Sequence, residues 1–194
     1  MNRLPYILRT NFTNEQRALF DRIVGGKRGE GRALVSFLTS EGGMKGPFNA
    51  LLFSPAVGDA VQQLGQMVRF ETSIPPTLRE LAILFVAAKW HAQYEWWAHE
   101  KIARSEGLDS TVIANVKAGT FPTFTRPAES IIYCFAQELL EQQRVSEQCY
   151  TQAIDLLGKT GVVELVALLG YYTLVSMLLN TFEVSVPEGE TKPF

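Results

Sequence analysis

Helix boundary signals recur along almost the whole chain, and they constrain its fold more than any other feature of the sequence. The segment TNEQRALFDRIVGG begins with Thr13 and Gln16 at the spacing of a capping box and ends in two glycines. In SPAVGDAVQQLGQMVRF, Ser54 falls at the N-cap and Pro55 at the first helical position. Apolar residues recur with a period of about 3.6, whereas the alternating runs of half-buried strands are nearly absent. We therefore predict an all-α fold.

The same signals predict further helices along the rest of the chain. A short helix is expected after the glycine-rich stretch GGKRGEGRA, and a break between helices is expected at His91. The other predicted helices lie in PPTLRELAILFVAAKW, YEWWAHEKIARSEG, DSTVIANVKAG, RPAESIIYCFAQELLEQQR, SEQCYTQAIDLLG and an apolar stretch from Thr160. The segment from Ser185 to Phe194, rich in proline and glutamate, is predicted to be a tail.

An internal repeat is visible in the sequence. A helix ending in LG, a polar link and an apolar helix that begins with REL or VEL occur twice, which aligns Glu80 with Glu164. Such self-similarity is typical of two copies of one helical unit packed together. We predict a single domain over 1–194. Within it, 1–46 form an N-terminal helical extension, 47–120 the first repeat, 121–184 the second repeat and 185–194 the tail.

Composition and charge limit the kinds of molecule that the protein is expected to bind. The chain has 194 residues, of which 46% are hydrophobic and 20% charged, as in globular proteins. Its net charge is −2 and no block of basic residues gathers the charge that nucleic acid binding needs. The N-terminus lacks the apolar stretch of a secretory signal, and the apolar segment 162–179 is shorter than the roughly 20 residues that span a bilayer. We expect a cytoplasmic protein that binds neither nucleic acid nor membrane.

The stretch KWHAQYEWWAHE holds both histidines of the chain, on either side of a glutamate. Glu95 and His99 are one helical turn apart on the same face, so the carboxylate can orient the imidazole and raise its basicity. On a continuous helix the backbones of His91 and His99 would be roughly 12 Å apart, too far to share one metal ion. A metal site shared by the two histidines is therefore not expected.

The segment RELAILFVAAKWHAQYEWWAHEKIARSEGL resembles the carboxymuconolactone decarboxylase family, which includes the alkylhydroperoxidase D proteins. The similarity runs from the SPAVG helix to LLNTFEVSVPEGE. It implies an alkylhydroperoxidase D-like helical bundle with two similar repeats, assembled as a homo-oligomer, a trimer or a multiple of one.

The peroxidase branch of that family would require a glutamate, a CxxC and a histidine four residues after the second cysteine. Glu80 matches the glutamate and His99 the histidine, but Ala92 and Glu95 stand where the two cysteines would be. Without a reactive thiolate and a resolving thiol, dithiol peroxidase chemistry is not expected.

The resemblance leaves Glu80, Glu95 and His99 as the candidate catalytic residues. We expect these groups to meet in a pocket lined by aromatic residues, for which the candidates are Trp90, Tyr94 and Trp96. Desolvation there would move their pKa values towards neutrality.

Simpler roles stand beside the catalytic one. Glu80 follows Thr77 by three residues and could close a capping box, and a Glu95–His99 pair could be a surface pair worth about 0.2–0.5 kcal/mol.

We expect a cofactor-independent enzyme of this family that acts by proton transfer on a small cyclic acid or lactone, in a decarboxylation or a related lyase or isomerase step. His99 would be the acid/base, Glu95 would orient it and Glu80 would complete the relay; no cofactor or metal is expected. The alternative is a non-catalytic protein of the same fold that binds a small ligand or serves assembly. A third possibility is a peroxidase-related protein without thiol activity, or a variant that binds metal through the same three side chains.

Overall fold

The structure is a computed structural model that describes residues 2–29 and 38–194. Within these residues the regular structure is helical, and the only strand-like feature is one isolated bridge between Leu38 and Met44. The predicted all-α fold is confirmed.

The helices follow one another along the chain with short connections. Two 3₁₀ helices cover Arg9–Asn11 and Lys27–Gly29. The α-helices of the described residues are α1 (Asn14–Gly25), α2 (Pro47–Leu51), α3 (Pro55–Phe70), α4 (Pro76–Lys89), α5 (Gln93–Ser105), α6 (Ser110–Ala118), α7 (Pro127–Gln142) and α8 (Glu147–Thr181).

Several helix ends form as their local sequence predicts. Before α1, the Thr13 side chain accepts a hydrogen bond from the Gln16 backbone and the Gln16 side chain accepts one from the Thr13 backbone, so the capping box is present. Ser54 and Pro55 begin α3 as predicted, although the Ser54 side chain makes no capping hydrogen bond. The short helix predicted after the glycine-rich stretch falls partly on residues 30–37, which lie outside the described residues; α2 lies further along.

The last two predicted helices are joined into α8. Hydrogen bonding continues from Glu147 to Thr181, but Gly158 has φ 69° and ψ 175° and kinks the helix between the two predicted segments. This positive φ is a conformation that glycine adopts without steric cost. Glycine at this position therefore accounts for the break seen in the sequence.

Among the described residues, α8 is the helix whose length and composition would allow a membrane crossing. Half of its most apolar window is nevertheless buried inside the protein, and core helices of soluble proteins share these properties, so this is weak support for a span.

Helix α4 is the central helix of the bundle, since α5, α6, α7 and α8 all pack against it. Residues Leu81 to Ala87 form an unbroken buried run, as expected for a helix that is apolar on all sides. Glu80 is the charged residue that is buried with them, 1% exposed. A buried carboxylate requires a partner, and this requirement leads to the candidate site.

The two ends of the chain pack against the bundle. A second core forms where α1 meets α2, around Leu19, Phe20 and Phe48. At the other end, the predicted tail is docked: Phe194 packs edge-on against Trp96 at 5.4 Å, and its backbone exchanges hydrogen bonds with the Gln93 side chain at 2.8 and 3.0 Å. The division of the chain into two repeats stays a prediction. Glu164, the repeat counterpart of Glu80, accepts hydrogen bonds from the backbone and hydroxyl of Ser73.

One close approach in the bundle depends on glycine. A Cβ atom at Gly65 of α3 would lie 2.1 Å from the Tyr171 hydroxyl and 2.3 Å from a guanidinium nitrogen of Arg28. Both side chains are buried, so they can yield only into the adjoining cavity described below.

We therefore expect Gly65→Ala to destabilise the protein by about 1 kcal/mol, since overpacking of a filled site typically has a cost of this size. Gly170→Ala is the matched control. It lies on an exposed part of α8 where an added Cβ meets nothing within 4 Å, and it should stabilise the helix by about 0.4–1 kcal/mol. Urea unfolding of the two variants measures both effects, and similar shifts in the two would contradict the close packing at Gly65.

Candidate active site

Glu80, Glu95 and His99 meet in the interior of the bundle. His99 Nδ1 lies 2.6 Å from Glu80 Oε2, and His99 Nε2 lies 3.0 Å from Glu95 Oε1. The exposed fractions of the three residues are 1%, 4% and 4%. Glu80 is on α4, whereas Glu95 and His99 are one turn apart on α5. An imidazole held by a carboxylate at each nitrogen is thus built from two packed helices.

The two carboxylates control the protonation of His99. Burial by itself would lower the pKa of this imidazole, but the negative charges of Glu80 and Glu95, and the hydrogen bonds to them, raise it above its usual 6.5 overall. As an imidazolium, the ring donates at both nitrogens and the cluster carries one net negative charge. If the ring passes one of these protons to a carboxylate, the net charge of the cluster is unchanged. The cluster can therefore move a proton between its members without changing its net charge.

His91 lies outside this cluster, at the end of α4. It is exposed, has φ 45° and stacks against Phe194 with ring centroids 5.2 Å apart. The backbone N–H of His91 donates to Ala88 and that of Ala92 to Ala87, which is the hydrogen-bond pattern of a Schellman helix end. In this structure His91 has the geometry of a helix-terminating residue.

The simpler roles considered from the sequence do not match the structure. Thr77 and Glu80 do not form a capping box, because the Thr77 hydroxyl donates to the Glu106 backbone at 2.8 Å and Glu80 faces His99. Glu95 and His99 are not a surface pair, because both are buried.

The cluster is also unlike a metal centre. Glu80 and Glu95 contact opposite nitrogens of the ring, so the three side chains do not converge on one point. Within 2–29 and 38–194, no group of three His, Cys, Asp or Glu side chains is arranged to hold a metal ion.

A cavity of about 380 Å³ adjoins the cluster, within the range of small-molecule sites. Glu95 and His99 are in its wall, whereas Glu80 lies behind them. The second carboxylate oxygen of Glu95 has no hydrogen-bond partner among the described residues. Glu95 is therefore the carboxylate through which a bound molecule could exchange a proton with the cluster.

The aromatic residues that line the cavity differ from those predicted from the sequence. Of Trp90, Tyr94 and Trp96, only Tyr94 lines the cavity, together with Trp97, which was not among the predicted pocket residues. Trp96 is two residues from Tyr94 and therefore about 200° around α5, where it is fully buried and donates to Glu100 at 2.7 Å. Trp90 ends α4, and its carbonyl accepts a hydrogen bond from Asn180.

A tyrosine of helix α8 contacts the imidazole ring of His99. The ring of Tyr172 meets His99 edge-on at 5.1 Å, and Tyr171 meets Tyr172 at 5.1 Å. Burial raises the pKa of Tyr94, Tyr171 and Tyr172, so these phenols keep their protons at neutral pH. They can act as hydrogen-bond donors in the cavity wall, but not as bases.

Three cationic side chains in the cavity wall were not found from the sequence, namely Arg28, Arg69 and Lys101. Lys101 is paired with Glu190 at 2.7 Å. Arg28 follows α1 and Arg69 is in the last turn of α3. Arg28 stands in the glycine-rich stretch GGKRGEG, which offers no motif. The only signal for Arg69 was its position four residues after Gly65, on the same helix face.

Solved structures of other proteins share the fold of this chain. No family model and no curated protein matches the sequence. A solved structure of an uncharacterized peroxidase-related protein from Ralstonia eutropha JMP134, with an alkylhydroperoxidase AhpD core, superposes with a TM-score of 0.70 at 14% identity. The match covers 96% of this chain and 93% of that one. The fold is alkylhydroperoxidase D-like.

A second neighbour of this fold is a protein of unknown function from Agrobacterium tumefaciens, for which a role as an AhpD antioxidant defence protein has been suggested. Its TM-score is 0.62 at 15% identity, over 74% of this chain and 99% of that one. At these identities the likeness shows the fold, so the predicted fold is confirmed. The decarboxylase branch stays a prediction.

The electrostatics of His99 predict how stability depends on pH. Because the folded-state pKa is raised, this contribution is fully present below about pH 6.5 and is lost as pH rises through the folded pKa. The wild type should therefore lose stability relative to His99→Gln over the pH range that begins at about 6.5 and rises through the folded pKa. Urea unfolding at several pH values measures the difference.

His91→Gln is the control, since His91 is exposed, and it should keep the wild-type pH dependence. A difference between wild type and His99→Gln that stays constant over this range would contradict the charged pairing.

Proposed function

We propose that the protein is an enzyme that transfers protons to and from a small molecule bound in the cavity, through Glu95, His99 and Glu80. The supporting observation is the buried imidazole with a carboxylate oxygen within 3.0 Å of each ring nitrogen, beside a cavity of small-molecule size. A buried imidazole whose pKa is shifted by specific charged partners is common in catalytic sites. Exposure of Glu80 and His99 would have favoured a non-catalytic binding protein, and both are buried.

In this proposal the three groups have different tasks. Glu95 and His99 face the cavity, so one of them exchanges the proton with the substrate. Glu80 lies behind the ring, where its charge holds the imidazole orientation and stabilises the imidazolium when His99 takes a proton. This differs from the role expected from the sequence, in which Glu95 only orients His99.

The reaction that we favour is decarboxylation, or a related lyase or isomerase step, on a small cyclic acid or lactone, as the resemblance to carboxymuconolactone decarboxylases implies. When carbon dioxide leaves, the electrons of the broken C–C bond pass into the adjacent unsaturated system, and a proton is then delivered to carbon. A general acid positioned beside the substrate can supply this proton without a metal or an organic cofactor.

Thiol peroxidase chemistry is less well supported, although one neighbour is described as peroxidase-related. Ala92 and Glu95 occupy the positions at which that chemistry would need cysteines. Burial raises the pKa of Cys149 to about 11, so its reactive thiolate is scarce at neutral pH.

We also propose that the protein forms a homo-oligomer, a trimer or a multiple of one. Helices α3 and α8 pack side by side and expose large apolar side chains. On α3 these are Val57, Leu64 and Met67, and on α8 after the kink at Gly158 they are Val163, Val166, Leu174 and Met177. A second copy of the chain would bury such a face. A cytoplasmic location is part of the same proposal.

Deuterium uptake from D₂O tests the catalytic proposal, because protonation at carbon labels the product whether the step is a decarboxylation or an isomerisation. With a panel of unsaturated cyclic acids and lactones, followed by NMR, we expect wild-type protein to label at least one compound. His99→Ala should lower that rate by about 10²–10⁴-fold, the usual contribution of a positioned acid or base. Glu95→Gln should lie between the two, because it removes the charge and keeps the shape.

His91→Ala is the matched control and should retain the wild-type rate, since its imidazole lies outside the cavity. Full activity in His99→Ala, or equal losses at the two histidines, would rule out the relay.

Light scattering at micromolar concentration tests the oligomer. We expect a mass of three times 21.7 kDa or a multiple of that value. The double variant Met67→Glu/Leu174→Glu should dissociate it by placing charges in the apolar contact. Tyr150→Glu, in the part of α8 before the kink, should leave the mass unchanged. A monomeric wild type would refute the proposal.

A further inference from the structure

Arg28 is a buried cation for which the structure shows no acidic partner among the described residues. It is 4% exposed, one of its terminal nitrogens donates to the Tyr171 hydroxyl at 3.3 Å, and its Nε has no hydrogen-bond partner. Desolvating a guanidinium is costly, and the loss is recovered only when an opposite charge and hydrogen bonds replace the water. Arg28 lines the same cavity as Glu95 and His99, so a bound anion could supply the negative charge that the described protein residues do not.

Arg69 adds a second positive charge to the same cavity. It is half-buried, lies 5.1 Å from the Phe70 ring centroid and forms no ion pair among the described residues. Tyr171 is affected by the charges on both sides of the cavity. Burial raises its pKa, Arg28 and Arg69 oppose this rise, and Glu95 adds to it. Arg28, Arg69 and Glu95 are thus close enough to influence the same tyrosine.

The position of Arg28 is fixed by its neighbours. The Phe48 and Phe70 rings lie 5.5 and 5.9 Å from its guanidinium carbon, and the bare backbone at Gly65 approaches its terminal nitrogen. A guanidinium held in this way has already lost most of its conformational freedom before a ligand binds. Such preorganisation increases affinity, because less entropy is lost on binding.

We propose that Arg28 and Arg69 form a carboxylate-binding subsite, and that the ligand of this cavity is a small monocarboxylate with a flat apolar body. Guanidinium groups match the planar geometry of a carboxylate and bind it through paired hydrogen bonds. The aromatic residues Tyr94, Trp97 and Tyr172 line the same cavity and suit a flat apolar body. A dianion such as phosphate fits less well, because the Glu95 carboxylate lies in the wall of the same cavity. Calling this ligand the substrate rests on the proposed function.

Binding of model carboxylates tests the subsite. Benzoate, phenylacetate and sorbate are titrated by calorimetry against wild-type protein, each beside its neutral amide and beside inorganic phosphate. We expect at least one carboxylate to bind, and its amide and phosphate to bind at least about tenfold more weakly. Failure of all three carboxylates to bind, or equal binding of carboxylate and amide, would overturn the proposal.

Variants locate the binding. Arg28→Met should weaken carboxylate binding by about tenfold or more and leave amide binding unchanged, while Arg69→Met should have a smaller effect. Arg28→Lys keeps the charge but loses the planar fork, so it should fall between wild type and Arg28→Met, and it covers the case in which Arg28→Met does not fold. The control is Arg144→Met, an exposed arginine in the loop before α8. Unchanged carboxylate binding in the folded Arg28 variants would refute the subsite.

Glu95→Gln separates this proposal from the catalytic one. It should bind the carboxylate at least as tightly as wild type, since a nearby negative charge is removed, while its turnover is lowered to a value between those of wild type and His99→Ala. Carboxylate binding that requires Arg28, in a protein that turns nothing over, would support the subsite and contradict the enzyme. Turnover that is unaffected by Arg28→Met would support the enzyme and contradict the subsite.

Discussion

The hydrogen bond between Glu80 and His99 is the interaction on which the arrangement of this bundle depends. Glu80 lies on the central helix beside the buried apolar run from Leu81 to Ala87, and it is 1% exposed. Its only other charged contact among the described residues is Arg79, at 3.9 Å. An unpaired carboxylate in that position would be strongly destabilising. The partner comes from α5, so α5 must present one defined face to α4. That face also carries Glu95, which places a second carboxylate on the far side of the same ring.

The orientation of α5 also determines which of its side chains face the cavity. Once His99 faces α4, the next part of the α5 surface, with Tyr94 and Trp97, faces α8 and the cavity. Tyr172 closes the remaining side of the imidazole. The site is thus enclosed by three helices that also form the main core, and its geometry is held by the packing that stabilises the fold.

Much of the helical framework could be predicted from the sequence, because helix ends obey local rules. Thr13 with Gln16 and the break at Gly158 each depend on a few neighbouring residues. The Glu95–His99 contact was also predictable, since both residues lie one turn apart on one helix. The Glu80–His99 contact joins two helices, and only the family resemblance suggested it.

Features that depend on packing between distant segments could not be predicted. Which aromatic residues of α5 face the cavity depends on the rotation of that helix, and an assignment by residue type wrongly placed Trp96 in the wall. Arg28 reaches the cavity from a segment without a motif, and Phe194 docks at Trp96 from a stretch whose composition suggested a free tail.

The helix end at His91 sets the rotation of α5 about its axis, and therefore the direction in which Glu95 and His99 point. Only Trp90, His91 and Ala92 separate α4 from α5, and the two backbone hydrogen bonds at this turn hold their conformation. Adding or removing one residue there would rotate α5 by about 100° and carry both Glu95 and His99 away from Glu80. The length of this connection is therefore as much a part of the site as its side chains. Relatives that vary in this turn would have to rebuild the cluster from other positions of the helix.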